Sequence, residues 1–417
     1  MTTVSRRGLF AIAAGGAVLV ARGQSGPGAA PAAPLRSLTG AVQPIDAAEY
    51  AARLAKVQDL MRQAKVAALL VESGSTLAYF TGIRWSRSER TTAALIPASG
   101  TVVVVTPYFE EPSIRETLKV SADVRPWQED QSPFQLLAAA LRERPASGPL
   151  AVEATTRFFI VDNVSKAAAS RPEIVPGDDL VRACRMFKSP AELALLQVAN
   201  NVTIAALRYV HGKIQAGMSG TDIATLMTTA TEQLGGNHEF SLVLLNEASA
   251  FPHGSIKPQS VREGSVILID TGCDVHGYQS DISRSWVHGQ ISTRQREVWD
   301  TVKHGQELAL QTAQIGVPVG AIDKAVRAYY EQKGWHKDYR LPGLSHRTGH
   351  GIGMDGHESP YLVRSDTTAL QAGMCFSDEP GLYIPGEFGI RLEDCWYMTP
   401  AGPKLFTALA KSIDQPV

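Results

Sequence analysis

The chain has 417 residues and a formal net charge of −1, because 40 lysines and arginines offset 41 aspartates and glutamates. This length predicts two or three domains, and a hydrophobic content of 44% is enough to bury a sizeable core. The balanced charge excludes a general electrostatic attraction to nucleic acid, so we expect no nucleic-acid partner.

The N-terminal segment has the pattern of an export signal. Arg6 and Arg7 precede an apolar run from Ala11 to Ala21, and a spacer rich in glycine, proline and alanine follows it. This order resembles a twin-arginine signal peptide, so we expect residues 1–35 to be signal and spacer and the mature protein to be periplasmic or secreted. The apolar run is short for a membrane span, and we expect no stable membrane insertion once the signal is removed.

Residues 36–185 are predicted to form a smaller α/β domain. Helical periodicity and apolar strand runs alternate along it, at Ala47 to Ala64, Val66 to Val71, Ala93 to Ile96, Thr101 to Thr106, Pro133 to Arg144 and Leu150 to Glu153. The turn between Pro97 and Gly100 predicts a β-hairpin, and the alternation predicts mixed strand connections. The segment contains no phosphate loop and no dinucleotide-binding fingerprint.

Residues 186–417 begin with a helix-start signal. Ser189 suits an N-cap, Pro190 the first helical position and Glu192 the acidic third position. Helices are predicted from there to about Ala216, at Thr221 to Leu234, at Ser292 to Ile315 and at Val319 to Lys333. Strands are predicted at Val266 to Asp270 and twice between Met374 and Met398, where Tyr383 to Gly389 joins the two.

Four carboxylates and one histidine of this second part stand beside turns or strands. Asp270 closes an apolar strand and Asp281 follows a glycine-containing turn, so the two are predicted to face each other across one hairpin. His350 lies in a glycine-rich loop, while Glu379 and Glu393 lie on the two strands of the tail. Taken singly, each acid suits a surface charge or a turn cap. Together they predict a site for two divalent ions, because cations relieve the repulsion and desolvation of buried carboxylates.

The segments that carry these residues resemble one superfamily, that of creatinase, prolidase and methionine aminopeptidase. The matching segments are FKSPAE, FPHG, VILIDTGCDVHGYQSDISRSW, HRTGHGIGMDGHESP and CFSDEPGLYIPGEFGIRLED. The upstream segment YFTGIRW resembles the N-terminal domain of aminopeptidase P, prolidase and creatinase, which methionine aminopeptidases lack. The resemblance implies an α+β protein, with a creatinase-type N-terminal α/β domain at 36–185 and a pita-bread metallopeptidase domain at 186–417.

By this resemblance, the metal ligands are Asp270, Asp281, His350, Glu379 and Glu393. Asp281 and Glu393 are implied to bridge the two ions, Asp270 to complete one ion, and His350 with Glu379 to complete the other. Mn is the expected metal because the ligands are rich in oxygen, with Co or Zn as alternatives. A water bridging the ions would become a hydroxide nucleophile, with Glu379 as the general base.

Further residues are carried over to the substrate side of the site. His253 and His357 are implied to flank the scissile bond, one stabilising the oxyanion and the other positioning the substrate or carrying a proton. His346 suits a substrate-binding position. Arg364 lies near where prolidases place an arginine for the substrate carboxylate, although a solvated arginine is the alternative. Three residues are expected to support the ligands from outside the site: Tyr278, Arg284 and Arg391.

The resemblance implies hydrolysis of the peptide bond before proline, by an Xaa-Pro dipeptidase or an Xaa-Pro aminopeptidase. A broad-specificity or organophosphate-active prolidase-like hydrolase is the alternative. Creatinase, which needs no metal, and non-catalytic binding members, which typically lose ligands, are disfavoured because all five ligands are present. We expect proline-containing peptides as partners and a homodimer as the assembly.

Overall fold

A computed structural model describes residues 35–143 and 147–417 of the protein. The twin-arginine motif and the apolar run that follows it lie outside the described residues. Residues 36–417 form one structural unit.

The first part of this unit is built on one mixed six-stranded sheet. Its helices are α1 Ala47–Gln63, α2 Ser75–Thr81, α3 Glu111–Thr117, α4 Pro133–Arg142, α5 Phe158–Ala167 and α6 Asp178–Arg185. Its strands are β1 Ala68–Glu72, β2 Ala93–Pro97, β3 Val102–Pro107, β4 Ala122–Trp127, β5 Leu150–Val152 and β6 Ile174–Pro176. The strand order is β4-β3-β2-β1-β5-β6, in which β2 is antiparallel to both neighbours and the remaining pairs are parallel.

Strand β1 is buried along its whole length because helices cover both faces of the sheet. Leu69 packs in a core cluster with Val57 of α1, while the neighbouring Leu70 packs in a second cluster with Leu137 of α4. A strand that is buried on both faces has a continuous apolar run rather than an alternating one, as this strand does. The predicted hairpin is confirmed in β2 and β3, which pair antiparallel with Leu95 opposite Val103.

The second part of the unit contains four long helices and three sheets. Its helices are α7 Pro190–His211, α8 Gly220–Gln233, α9 Thr293–Thr312 and α10 Val319–Gln332. Its strands are β7 Asn237–Leu245, β8 Ser265–Val275, β9 Tyr278–Gln279, β10 Ile282–His288, β11 Gly349–Gly351, β12 Glu358–Leu362, β13 Cys375–Asp378, β14 Gly381–Ile384, β15 Phe388–Arg391, β16 Asp394–Thr399 and β17 Gly402–Leu405. One sheet has the order β10-β8-β7 with β9 on β8, the second has the order β12-β11-β13-β16-β17, and β14 pairs with β15.

Helix α7 begins where the sequence predicts. The Ser189 hydroxyl accepts a hydrogen bond from the Glu192 N–H, and the Glu192 carboxylate accepts one from the Ser189 N–H at 2.8 Å. The helix ends at His211, five residues before the expected Ala216, because Gly212 follows it. Among the described helices, α7 is long and apolar enough to suit a membrane span, but 56% of its most apolar stretch is buried inside the protein.

Two predicted strand boundaries are wrong, and both concern the predicted metal ligands. Strand β8 does not end at Asp270 but continues to Val275, and the chain turns at His276 and Gly277, which have φ of 48° and 86°. A left-handed pair of this kind makes a tight hairpin turn. Asp270 therefore lies in mid-strand, where it pairs with Ser283 of β10.

The tail from Met374 to Met398 forms four strands rather than the predicted two. The chain leaves the ladder at Glu379, because Pro380 after it cannot donate a backbone hydrogen bond, and again at Glu393. Strands β14 and β15 form a separate hairpin between these two breaks. Each break therefore frees one glutamate from regular strand pairing.

Candidate metal centre

One cavity of about 470 Å³ collects the residues that the sequence singled out. Its lining includes all five predicted ligands, which are Asp270, Asp281, His350, Glu379 and Glu393. The three histidines predicted for the substrate side also line it, namely His253, His346 and His357. The structure thus brings together predicted site residues that are up to 140 positions apart, from His253 to Glu393.

Backbone hydrogen bonds fix the two glutamates at the breaks of the tail. The Glu379 N–H donates to the Thr348 carbonyl at 2.8 Å, and the Glu393 N–H donates to the Ser283 carbonyl at 3.0 Å. The first bond ties Glu379 to the strand that carries His350. The second ties Glu393 to the hairpin that carries Asp270. The four segments of the site are therefore held to one another at the ligands themselves.

His350 presents a lone pair to the carboxylates. Its Nδ1 donates to the Gly351 carbonyl at 3.1 Å, so in the neutral ring Nε2 is the unprotonated nitrogen. Nε2 lies 3.7 Å from Asp281 Oδ2, 3.4 Å from Glu379 Oε1 and 3.9 Å from Glu393 Oε1. Burial and the neighbouring His357 lower the pKa of His350 to about 3, so the ring stays neutral at pH 7. A neutral imidazole with its outer nitrogen bound to a carbonyl is the state in which histidine binds a metal.

Three carboxylates of the site are disfavoured in their charged form, even though Arg391 pairs with Asp270. Burial and the charge of Asp270 hold the pKa of Asp281 well above its usual range, and burial and the charge of Asp281 do the same for Glu393. Burial raises the pKa of Glu379 to about 7. Asp281 Oδ1 and Glu393 Oε1 are buried and have no hydrogen-bond partner among the residues that the structure describes.

This donor set suits divalent cations. Ligand atoms of Asp270, Asp281 and Glu393 lie within 4.8 Å of one another, as do those of His350, Glu379 and Glu393. The two groups share Glu393, which is the arrangement expected of a carboxylate between two ions. A third group of atoms at this spacing comes from Asp281, His350 and His357. Buried carboxylates without partners are costly unless cations bind them, so the site fits the metals that the sequence predicts.

Arg391 supports the predicted ligands by hydrogen bonds to Asp270 and to neighbouring hydroxyl groups, in line with the expectation. Its guanidinium donates to Asp270 Oδ2, to the Ser283 hydroxyl at 2.8 Å and to the Tyr383 hydroxyl at 3.3 Å. The Ser283 oxygen in turn lies 2.9 Å from Asp270 Oδ1 and 2.8 Å from Glu393 Oε2. Sequence reasoning did not select Ser283, although its position two residues after Asp281 was a usable signal.

Both ring nitrogens of His346 form hydrogen bonds within the protein. Nδ1 donates to the Arg347 carbonyl at 2.7 Å, so Nε2 accepts from the Tyr383 hydroxyl, also at 2.7 Å. Burial lowers the pKa of His346 to about 3, which keeps the ring neutral. His346 therefore lines the cavity while it orients Tyr383, a residue that the sequence did not single out.

His253 and His357 differ from His346 in this respect. Neither ring has a hydrogen-bond partner among the described residues, so both are available to a bound molecule. The His357 ring packs on His350, with ring centroids 3.9 Å apart. Partial burial and the nearby charge of Arg347 lower the pKa of His357.

Two residues expected behind the ligands act elsewhere. The Tyr278 hydroxyl donates to Glu192 Oε1 at 2.8 Å and accepts from Arg53 at 2.8 Å, so it points away from the metal ligands. Its place beside the hairpin turn directs it toward α1 and α7 instead. Arg284 donates to the Glu393 backbone carbonyl at 2.8 Å and pairs with Asp394 at 2.7 Å. It therefore holds the backbone of a ligand rather than its carboxylate.

The placement of Arg364 differs from the expectation. Its guanidinium pairs with Asp338, its side chain is 44% exposed, and it does not line the cavity. Arg347 lines the cavity instead, with its guanidinium carbon 4.2 Å from the centre of the Tyr361 ring. Arg364 lies outside the matching motifs, so the family resemblance does not fix its role, whereas Arg347 lies inside the motif HRTGHGIGMDGHESP.

The sequence and the fold both have known counterparts. The chain matches the model of Metallopeptidase family M24 over residues 194–400 and that of the Creatinase/Prolidase N-terminal domain over residues 53–187. It is 30% identical over 366 residues to a Mycobacterium tuberculosis protein named "Probable dipeptidase PepE", covering 86% of this chain and 94% of that protein. It is 28% identical over 371 residues to the Xaa-Pro dipeptidase of Lactobacillus helveticus, covering 86% and 98%.

A prolidase from Thermococcus sibiricus has a similar structure, with a TM-score of 0.79 at 25% identity over 86% of this chain and 97% of that one. The expected fold is thereby confirmed, with a creatinase-type N-terminal domain before a pita-bread domain. The chain therefore belongs to metallopeptidase family M24, in the branch of the Xaa-Pro dipeptidases and prolidases, and it is a peptidase.

Proposed function

We propose that the protein hydrolyses the peptide bond before proline in Xaa-Pro dipeptides, with two divalent metal ions held by Asp270, Asp281, His350, Glu379 and Glu393. The observation that carries the proposal is the single cavity that joins these five ligands to His253 and His357. The similarity to Xaa-Pro dipeptidases over most of their length supports the substrate class.

Divalent ions bound at this site would polarise the scissile carbonyl and supply an activated water, and Mn is the metal we expect. The residues of the chain then handle the proton and the developing charge. Glu379 accepts a proton from the attacking water and transfers it to the leaving proline nitrogen. His253 and His357, whose rings have no partner among the described residues, donate hydrogen bonds to the substrate around the tetrahedral oxygen.

The position of Arg347 favours a dipeptidase activity over an aminopeptidase activity. Arg347 lines the cavity, and its guanidinium packs on the Tyr361 ring without a hydrogen-bond or ion-pair partner within the described part of the chain. A dipeptide ends in a free carboxylate one residue after the scissile bond, and arginine binds carboxylates in a two-pronged, charge-assisted manner. Arg391 also lines the cavity but is already bound to Asp270, Ser283 and Tyr383.

A comparison of four small substrates tests the proposal. We expect the enzyme, loaded with Mn, to cleave Xaa-Pro much faster than Xaa-Ala, and to cleave Xaa-Pro faster than Xaa-Pro-amide and Xaa-Pro-Yaa. Equal rates for Xaa-Pro and Xaa-Ala would instead favour a broad-specificity hydrolase. A preference for Xaa-Pro-Yaa over Xaa-Pro would identify an aminopeptidase and would refute the role of Arg347.

A further inference from the structure

His357 is held in place by its backbone rather than by its ring. It lies between β11 and β12, its side chain is exposed, and its ring nitrogens have no hydrogen-bond partner within the described ranges. Its ring packs at a tilt on the His350 ring, with centroids 3.9 Å apart. His357 lines the metal-site cavity and also a second cavity of about 320 Å³.

The next residue, Glu358, closes this loop. Its carboxylate accepts hydrogen bonds from the backbone N–H groups of Met354 at 2.9 Å and Asp355 at 3.1 Å. The loop packs so closely on Glu358 that a Cβ at Gly353 would lie 2.8 Å from both carboxylate oxygens. The path of the backbone from Gly353 to His357 therefore depends on where the Glu358 carboxylate is held.

Two cationic side chains also bind the Glu358 carboxylate. Lys188 Nζ donates to Glu358 Oε2 at 3.0 Å, and the Arg185 guanidinium donates to Oε1. All three side chains are at most 9% exposed. Because these side chains are buried, their charges interact strongly with one another and are screened little by water. The partners therefore fix the position of each charged group.

Arg185 connects this carboxylate to the first domain. Its guanidinium also donates to the hydroxyls of Ser75 and Thr76 in α2, both at 2.9 Å, and to Asp355 Oδ2 at 2.9 Å. The Ser75 hydroxyl donates to the same Asp355 oxygen at 2.6 Å. One guanidinium thus joins the N-terminal domain to two residues next to His357, Asp355 and Glu358.

We propose that Arg185 is a positioning residue, through which the N-terminal domain sets the place of His357 in the active site. The proposal rests on the proposed hydrolysis of Xaa-Pro bonds, since it assigns the way in which one histidine of that site is held. The connection runs from α2 through Arg185 and Glu358 to His357. The N-terminal domain thereby contributes to turnover, although none of its described residues lines the metal-site cavity.

A second buried cluster supplies a matched control. Arg53 of α1 donates to the Tyr278 hydroxyl at 2.8 Å and lies 3.3 Å from Glu192, so it joins the same two domains. Like Arg185 it is nearly inaccessible to solvent. Within the described residues it forms no hydrogen bond or ion pair with the loop from Gly353 to Glu358. Loss of Arg53 should therefore weaken the domain contact while His357 keeps its place.

The experiment is a double-mutant cycle on the metal-loaded enzyme. Arg185→Met, His357→Ala and the double variant are assayed for kcat and KM on an Xaa-Pro dipeptide, with bound metal counted. We expect Arg185→Met to lower kcat about 10-fold or more, since small misplacements of catalytic groups have effects of this order, at unchanged metal content. In the His357→Ala background the same change should lower kcat no further, because coupled residues are not additive.

Three companion variants sharpen the outcome. Arg185→Lys should recover part of kcat because its ammonium can still pair with Glu358, whereas Arg53→Gln should lower the melting temperature and leave kcat unchanged. Thr76→Val, which keeps every charge in place, should show a smaller loss of kcat that also disappears in the His357→Ala background. This variant tests the proposal if Arg185→Met does not fold.

Additive losses in the cycle, or an unchanged kcat in Arg185→Met, would overturn the proposal. An inactive wild-type enzyme would refute the proposed function instead.

Discussion

Nε2 of His350 lies 3.4 Å from Oε1 of Glu379, and no proton lies between the two atoms when the ring is neutral, Nδ1 is bound to the Gly351 carbonyl and Glu379 is ionised. A lone pair that faces a carboxylate is repelled by it unless a cation lies between them. This geometry supports the proposed binding of divalent metal at the site.

The first prediction concerns Glu379 itself. Glu379→Gln keeps the size of the side chain but removes the proton acceptor and one ligand charge, so we expect kcat to fall by at least ~10²-fold, as for the loss of general-base catalysis. The matched control is Glu387→Gln, which changes a half-exposed glutamate in the turn between β14 and β15. Single-turnover assays with metal analysis measure both. A near-normal rate in Glu379→Gln would place the proton acceptor elsewhere.

The second prediction compares two arginines. Arg347→Met should raise KM for Xaa-Pro dipeptides about 10- to 100-fold, the usual range for one charge-assisted hydrogen bond, and should change KM for Xaa-Pro-amide much less. Arg364→Met should leave both unchanged, because Arg364 pairs with Asp338 outside the cavity. Steady-state kinetics on the two substrates distinguish the cases. If Arg364→Met carries the loss, the assignment made from the sequence was right and ours is wrong.

The third prediction concerns the dependence of stability on pH. Burial alone would raise the pKa of Glu358, but the charges of Arg185 and Lys188 outweigh it and lower the pKa to about 2. Unfolding restores the ordinary value near 4.5, so this stabilisation is complete above that pH and is lost as the pH falls toward 2. The shift corresponds to about 3 kcal/mol.

Urea unfolding of the wild type and of Glu358→Gln at pH 3 and pH 6 measures this effect. The free energy of unfolding should fall less between the two pH values in the variant than in the wild type. Glu387→Gln, at an exposed position, should behave like the wild type. Parallel losses in all three proteins would show that Glu358 does not titrate abnormally.

The comparison of sequence and structure shows which features local patterns determine. The capping residues Ser189 and Glu192 mark the start of α7 correctly, because a cap depends on neighbours in the sequence. Short helices such as α2 were not predicted, since α2 is buried on all sides and has no apolar periodicity. Strand β8 was predicted to end at Asp270 because a charged residue after an apolar run resembles a strand end when its partners are unknown.

Side-chain direction was the least predictable feature of the site. Tyr278 stands three residues before Asp281, yet its hydroxyl binds Arg53, which is 225 positions away in the chain. Such long-range partners are invisible to spacing. The ligand set was predictable because the five residues occur within recognisable motifs. The partner of Arg364, by contrast, depends on a contact that no motif encodes.

The fourth prediction concerns export, which stays a proposal from the sequence. The twin-arginine route carries folded proteins, and Mn binds more weakly than Cu or Zn to most sites, so loading before export would avoid competition. We expect Arg6→Lys with Arg7→Lys to retain the protein in the cytoplasm with its metal bound and its activity present. Cell fractionation and metal analysis of each fraction check this. Normal export of the variant contradicts the signal, and a retained but metal-free protein contradicts loading before export.

The most direct measurement is a metal titration of the metal-free enzyme, with bound metal and Xaa-Pro hydrolysis followed in the same samples. The account predicts that chelation abolishes activity, that Mn or Co restores it, and that activity saturates as two ions bind per chain. Asp281→Asn, which alters a ligand that the family resemblance implies for both ions, should reduce both the number of bound ions and the activity. Full activity in a preparation shown to be free of metal would contradict the account.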